Sequence, residues 1–90
     1  MKLEPGNKVK IEVVESQCDI MKKGDTVYLN GPVLDQEHSD AVCVTALAAI
    51  YPWIMGARFG VKSENMGWNK GYRVSCPDKL VDFNITFIAD

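Results

Sequence analysis

The chain reads as an α+β domain in which an antiparallel sheet packs on one apolar helix, in the order ββαββ. Three observations predict this. Apolar and polar residues alternate with period two in segments near both ends of the chain, the spacing of a half-buried strand. An uncharged run from Ala41 to Ala57 has the composition of a buried helix. Turn residues punctuate the remainder, and strands joined by hairpins around one helix form an antiparallel layer rather than a dinucleotide-type unit.

Val9, Ile11 and Val13 share one face of the first strand, Lys8 to Glu15, with Lys8, Lys10 and Glu12 on the other. A long loop holding Cys18 ends at Gly24-Asp25, a turn pair, and leads into a second strand, Thr26 to Asn30. Gly31-Pro32 stops that strand, and Asp35 to His38 forms a polar connection. Ser39 or Asp40 caps a helix that starts near Asp40. Pro52 has no N–H to bond back to residue 48, so a kink or stop is expected near Tyr51, with Gly56 and Gly60 as C-terminal signals. Val61 to Gly71 reads as a loop. Tyr72, Val74 and Cys76 then alternate with Arg73 and Ser75, and Val81, Phe83, Ile85 and Phe87 with Asp82, Asn84 and Thr86; Pro77-Asp78-Lys79 turns between these two strands.

Residues 1–90 leave room for one core, so a single domain is expected. With 47% hydrophobic and 24% charged residues the composition is globular, not disordered. A net charge of −2 with interspersed signs offers no basic stripe for phosphates, which argues against a nucleic-acid partner. The opening Met1 to Gly6 lacks the apolar stretch of a secretory signal, and three cysteines, an odd number, suit a reducing compartment; both predict a cytoplasmic protein. The run from Ala41 to Ala57 is shorter than the roughly 20 residues of a spanning helix and contains Pro52 and Gly56, so no membrane insertion is expected.

Cys18, Cys43 and Cys76 each fall at the end of an element. If the first strand and the strand from Tyr72 run in the same direction, Cys18 and Cys76 share one end of the sheet, and the connection before the helix is long enough to bring Cys43 there. Cys43 in the first helical turn meets unpaired N–H groups and the helix dipole, which favour a thiolate. A proline after cysteine, as in Cys76-Pro77, also follows ligating cysteines in bacterial ferredoxins. The separations match no C-x-x-C pattern, however, and free cysteine often packs as a small hydrophobe; Cys76 shares a strand face with Tyr72 and Val74. Zinc needs a fourth ligand, for which His38 is the only histidine, whereas an iron–sulfur cluster can keep one iron open. If the three thiolates form one metal site, zinc or iron–sulfur, the sulfurs are expected within about 4 Å of one another, since both kinds of metal–sulfur bond are about 2.3 Å.

His38 in its polar connection reads as a solvated side chain that is also the one imidazole able to act as base or ligand. Tyr51 and Trp53 read as core or interface anchors and Trp68 as a cover for the core edge. No Gly-rich phosphate loop, nucleophile elbow or H-E-x-x-H motif occurs, so no established enzyme class is supported.

Cys18 followed by Gly24-Asp25, then Gly31-Pro32, Val42-Cys43 with Ala46-Leu47 and Tyr51-Pro52, Trp68, and Cys76-Pro77-Asp78 before the apolar strand Val81 to Phe87 form an ordered set over most of the chain. In this set the chain resembles the TIGR04076 family of small uncharacterised prokaryotic proteins. The resemblance implies that cysteines recur at these three positions, which favours a metal or thiol role. Family members often carry a histidine before the Gly-Asp pair, where this chain has Met21-Lys22-Lys23, so it does not imply a histidine ligand.

Three functional readings follow. The leading one is a small binding or accessory protein holding an iron–sulfur cluster or zinc through Cys18, Cys43 and Cys76. The second is a thiol redox enzyme in which Cys43 is the reactive thiolate and Cys18 or Cys76 resolves it. The third is a structural interaction module without site chemistry. A homodimer is expected because four short strands cannot cover a helix that is apolar all round, and leaving Ile50, Trp53, Ile54 or their neighbours in water creates an interaction patch. The alternative is a loop from Val61 to Lys70 folding over the outer face to complete a monomer.

Overall fold

A computed structural model describes residues 8–68 and 71–88; the opening Met1 to Gly6 and Lys70 lie outside them. The elements are β1 (Lys8–Ser16), β2 (Thr26–Asn30), β3 (Val33–Leu34), α1 (Val44–Arg58), a 3-10 turn at Ser63–Met66, β4 (Tyr72–Ser75) and β5 (Val81–Ile88). The sheet order is β3-β2-β1-β5-β4, and every neighbouring pair is antiparallel. The α+β class, the single helix and the antiparallel sheet stand as expected.

The order ββαββ needs one correction, since three strands precede the helix. Gly31 (φ 62) turns the chain after β2, and Val33–Leu34 returns to pair with Leu29 and Asn30. Two residues carry no readable alternation, and Pro32 in the turn hides them.

Alternation places Val9, Ile11 and Val13 of β1, Val27 and Leu29 of β2, Tyr72 of β4 and Val81, Phe83 and Ile85 of β5 in one buried layer. Ala46, Ile50, Ile54 and Ala57 of α1 close it from above. Burying each of the larger aliphatic or aromatic side chains stabilises the fold by about 1.5–3 kcal/mol.

The helix starts later than expected, at Val44, with Cys43 as its N-cap residue. Ser39 and Asp40 do not cap it. Their side chains instead accept the N–H groups of Tyr28 (2.8 Å) and Thr26 (2.9 Å), stitching the connection to β2. Short polar side chains serve any backbone donor in reach, and the strand presents its own first.

Pro52 lies inside α1, which continues to Arg58, so the expected stop near Tyr51 does not occur. Pro52 and Ala48 are both exposed; water can satisfy the Ala48 carbonyl that the proline leaves without a donor. The helix ends as a Schellman motif: Val61 N–H bonds the Gly56 carbonyl (3.0 Å), Gly60 N–H bonds that of Ala57 (3.3 Å), and Gly60 has φ 77.

Of the apolar residues named for the outer face, Ile50 and Ile54 are buried against the sheet. The surface left in water is their neighbours' stripe of Val44, Ala48, Tyr51, Met55 and Phe59. Trp68 does fold back, but onto the flank of the helix: its ring meets Trp53 edge-on at 5.4 Å and Tyr72 at 5.5 Å. The stripe stays uncovered by it.

Candidate functional site

β1 and β4 both pair antiparallel with β5, so they run in the same direction and finish at the same end of the sheet. Cys18 follows the end of β1 and Cys76 the end of β4. The N-terminus of α1 comes to the same place, and Cys18, Cys43 and Cys76 line one cavity of about 150 Å³ together with Met21, Thr45, Asp78 and Leu80.

A bulge sets up the first corner of this cavity. The register with β5 shifts between Val13, opposite Phe83, and Glu15, opposite Asp82. Val14 is the extra residue, and it reverses the phase of the strand, so that Ser16 rather than Glu15 lies opposite buried Val81. The Ser16 hydroxyl donates to the Met21 carbonyl and accepts the Cys18 N–H at 3.0 Å, folding the next residues into a tight turn. Met21 is thereby drawn into the core, and the Ile20 N–H points at the Cys18 sulfur at 3.4 Å.

The β4–β5 turn builds the second corner. The Lys79 N–H bonds the Cys76 carbonyl at 2.9 Å across Pro77 and Asp78, the arrangement a proline at the second turn position favours. Lys79 adopts a left-handed conformation (φ 60), which turns the Leu80 N–H onto the Cys76 sulfur at 3.3 Å. The Gln17 N–H donates to the Leu80 carbonyl at 2.7 Å, tying the two corners together.

Cys43 makes the third. Its carbonyl accepts the Leu47 N–H at 2.9 Å, the first helical bond. No side chain caps this end and no acidic residue lies in the first turn, so the helix directs its unpaired N–H groups toward the region of Cys43 and Thr45. All three sulfurs are half-buried and free of disulfides. Backbone N–H groups directed at sulfur stabilise negative charge there and tune metal–thiolate sites.

The thiols share a cavity without closing on a point: among the described residues no group of three or more His, Cys, Asp or Glu is gathered as a single metal ion would require. The sulfur separation of about 4 Å expected of a shared zinc or iron–sulfur site therefore does not describe this arrangement. A cluster distributes its thiolates over separate irons and needs a wider triangle.

His38 is elsewhere. It lines a cavity of about 520 Å³ with Lys8, Tyr28 and Asn30, and its Nδ1 sits 2.9 Å from Asp35 Oδ2. Desolvation pushes the Asp35 carboxyl up, but the hydrogen bonds and charge of His38 outweigh it and hold the group below the usual carboxylate range. The pair fastens an exposed turn, and the imidazole does not reach the cysteines.

Two contributors escaped the sequence reading. Ser16 was signalled by the adjacent Val13-Val14, a break in alternation that marks a bulge. Asp78 was visible only as a turn residue. Among the described residues no helix is long and apolar enough to cross a membrane. No family model, no curated protein and no solved structure matches the chain.

Proposed function

We propose that this chain is a small cytoplasmic accessory or binding protein that holds an iron–sulfur cluster through Cys18, Cys43 and Cys76. The observation that carries the reading is the common cavity, in which two sulfurs accept backbone N–H groups and the third belongs to the N-cap residue of a helix with no side-chain cap. A cluster is favoured over zinc on two grounds. The thiols are spread rather than gathered, and His38, the one histidine available as a fourth zinc ligand, faces another cavity. When bound, the cluster would supply electron transfer or an open iron. The chain's part is to supply thiolates, direct N–H groups at them and exclude water from one side with the buried Met21, Ala46 and Val81. Purification without oxygen tests this: iron and acid-labile sulfide in similar amounts, with visible thiolate-to-iron absorption that Cys43→Ser removes, are expected. A colourless protein free of both after reconstitution overturns the reading, and stoichiometric zinc bound by all three cysteines replaces it.

The outer stripe of α1 supports a second element of the reading, a homodimer. Val44 (75% exposed) and Phe59 (58% exposed) bound a row that includes Ala48, Tyr51 and Met55, crossed near its C-terminal end by the Arg58 guanidinium, which donates to Met55 Sδ at 3.2 Å and sits 4.9 Å from the Phe59 ring centre. Such a row on one helix is self-complementary about a two-fold axis. Sedimentation equilibrium at micromolar concentration is expected to give twice the 10.0 kDa chain mass, and Met55→Asp to return it to one. A monomer at all concentrations refutes the dimer.

A further inference from the structure

We infer that the cavity beside the C-terminal end of α1 binds a small aromatic carboxylate whose ring carries a hydrogen-bond donor, as a phenol or an indole does. The cavity holds about 330 Å³, within the range of about 300–1,000 Å³ usual for small-molecule sites. Buried Ala57, Tyr72 and Ile85 line it, and so do Val61 and Phe87, two large apolar side chains left exposed. Apolar walls that water reaches, beside side chains that belong to the core, favour a flat apolar ligand because covering them removes that surface from water.

These walls are tied in place by the fold itself. Gly71 lies so close to β5 that a Cβ there would come within 2.8 Å of the Ile85 carbonyl. Its N–H donates to the Ser63 hydroxyl at 3.0 Å, which brings Ser63 to the same place. The Tyr72 hydroxyl donates to the Val61 carbonyl at 2.5 Å, and the Tyr72 ring packs against those of Trp53 and Trp68. A ligand that meets such walls does not have to order them first.

The hydrogen bonds already made determine which polar groups the ligand must bring. A hydroxyl has one proton to give and two lone pairs with which to accept. The proton of Ser63 goes to Glu64 Oε1 at 2.8 Å and that of Tyr72 to Val61, so the two hydroxyls among the lining residues retain lone pairs only and match an N–H or O–H. Exposed Lys62 also lines the cavity and makes no ion pair among the described residues, which suits a carboxylate at the other end of the ligand. Glu64 stands outside the lining, its own carboxylate held by Ser63.

Isothermal titration calorimetry of the full chain with p-hydroxyphenylpropionate tests this, and saturable one-to-one binding is expected. Phenylpropionate lacks the donor, and tyramine carries an ammonium in place of the carboxylate. Each is expected to bind at least about fivefold more weakly, the scale of one net hydrogen bond or one exposed ion pair. Lys62→Gln is expected to weaken p-hydroxyphenylpropionate about fivefold and not to weaken tyramine. Val61→Trp, a larger side chain at an exposed position of the wall, is expected to abolish binding while thermal unfolding stays unchanged. Absence of saturable binding to the wild-type chain overturns the site. A folded Val61→Trp that binds as well as wild type places the ligand elsewhere and overturns it too, and equal affinity for the three compounds overturns the ligand class.

Discussion

The two ends of helix α1 show opposite ways of finishing the same core. At its C-terminal end the chain is tied together beside a cavity of about 330 Å³: a Schellman motif satisfies the last carbonyls, Trp53, Trp68 and Tyr72 interlock, and the Tyr72 hydroxyl bonds the Val61 carbonyl. At its N-terminal end the helix has no side-chain cap, and three thiols stand around a cavity. The first end is packed for stability; the second keeps donors and sulfurs unspent, as a binding site must. Substitutions at the two ends are expected to separate these roles, with stability falling at the aromatic end and metal binding falling at the cysteine end.

The largest stability effect is expected at Gly71. It has φ 74, and an added Cβ would lie 2.8 Å from both Asn84 Oδ1 and the Ile85 carbonyl. Gly71→Ala therefore combines left-handed strain with displacement of β5, and a loss of about 3 kcal/mol or more is expected in urea unfolding. Gly24 is the counterpart at the cysteine end, with φ 94 and nothing within 4 Å of the added atom. Gly24→Ala is expected to show the strain alone, about 1–2 kcal/mol. Equal losses at the two glycines would show that crowding at the closed end has been overvalued.

Next in size is Trp68→Ala, which removes two edge-on aromatic contacts from a half-buried side chain. Each such contact is worth about 0.5–1.5 kcal/mol beyond the area buried, so a loss of about 2 kcal/mol in thermal or urea unfolding is expected, without change in metal uptake. A variant that keeps its stability but loses metal would reverse the assignment of the two ends.

Tyr72 gives this end a pH signature. Burial, and then the nearby charge of Glu64, push its phenol above the ordinary tyrosine value. A group raised in the folded state adds stability that is complete below its unfolded value, about 10, and is lost as pH rises through the folded value. Stability is thus expected to fall on the alkaline side of about pH 10, and Tyr72→Phe to flatten that fall while costing about 1 kcal/mol at neutral pH for the lost hydrogen bond. An unchanged alkaline slope in the variant would place its origin in another group.

The strands were legible because each buries one face, and a period of two survives in Val9-Ile11-Val13 and Val81-Phe83-Ile85 whatever their partners are. β3 was not, since two residues have no period. The helix start was misplaced because Ser39 and Asp40 are good caps for any donor, and which donor they meet depends on β2 lying beside them. The stop expected at Pro52 does not occur because the helix continues to Arg58 with Ala48 facing water. For the cysteines, chain spacing held only a condition, that β1 and the strand from Tyr72 run in the same direction. The sheet order meets it. The fine placement of Cys18 depends on the Val14 bulge and on the Gln17–Leu80 bond, both of which join residues far apart in sequence and leave no local pattern.

The smallest expected effect is at the cysteines themselves, and it separates a site from a filler. If Cys18, Cys43 and Cys76 serve only as small hydrophobes, replacing them by serine puts a hydroxyl where packing was wanted, at about 1–3 kcal/mol for each one left without a partner. In the arrangement described here the hydroxyls would find partners. The Ile20 and Leu80 N–H groups that now point at sulfur can point at oxygen instead, and serine at position 43 is a better helix cap than cysteine. The triple serine variant, compared with wild type after both are stripped of metal, is accordingly expected to differ by less than about 1 kcal/mol in urea unfolding. Reconstitution should then stabilise wild type and leave the variant unmoved, because a ligand that binds only the folded state stabilises only a chain that can hold it. A loss of several kcal/mol in the stripped variant would make the cysteines part of the core, and the open end of the helix merely a less well packed version of the closed one.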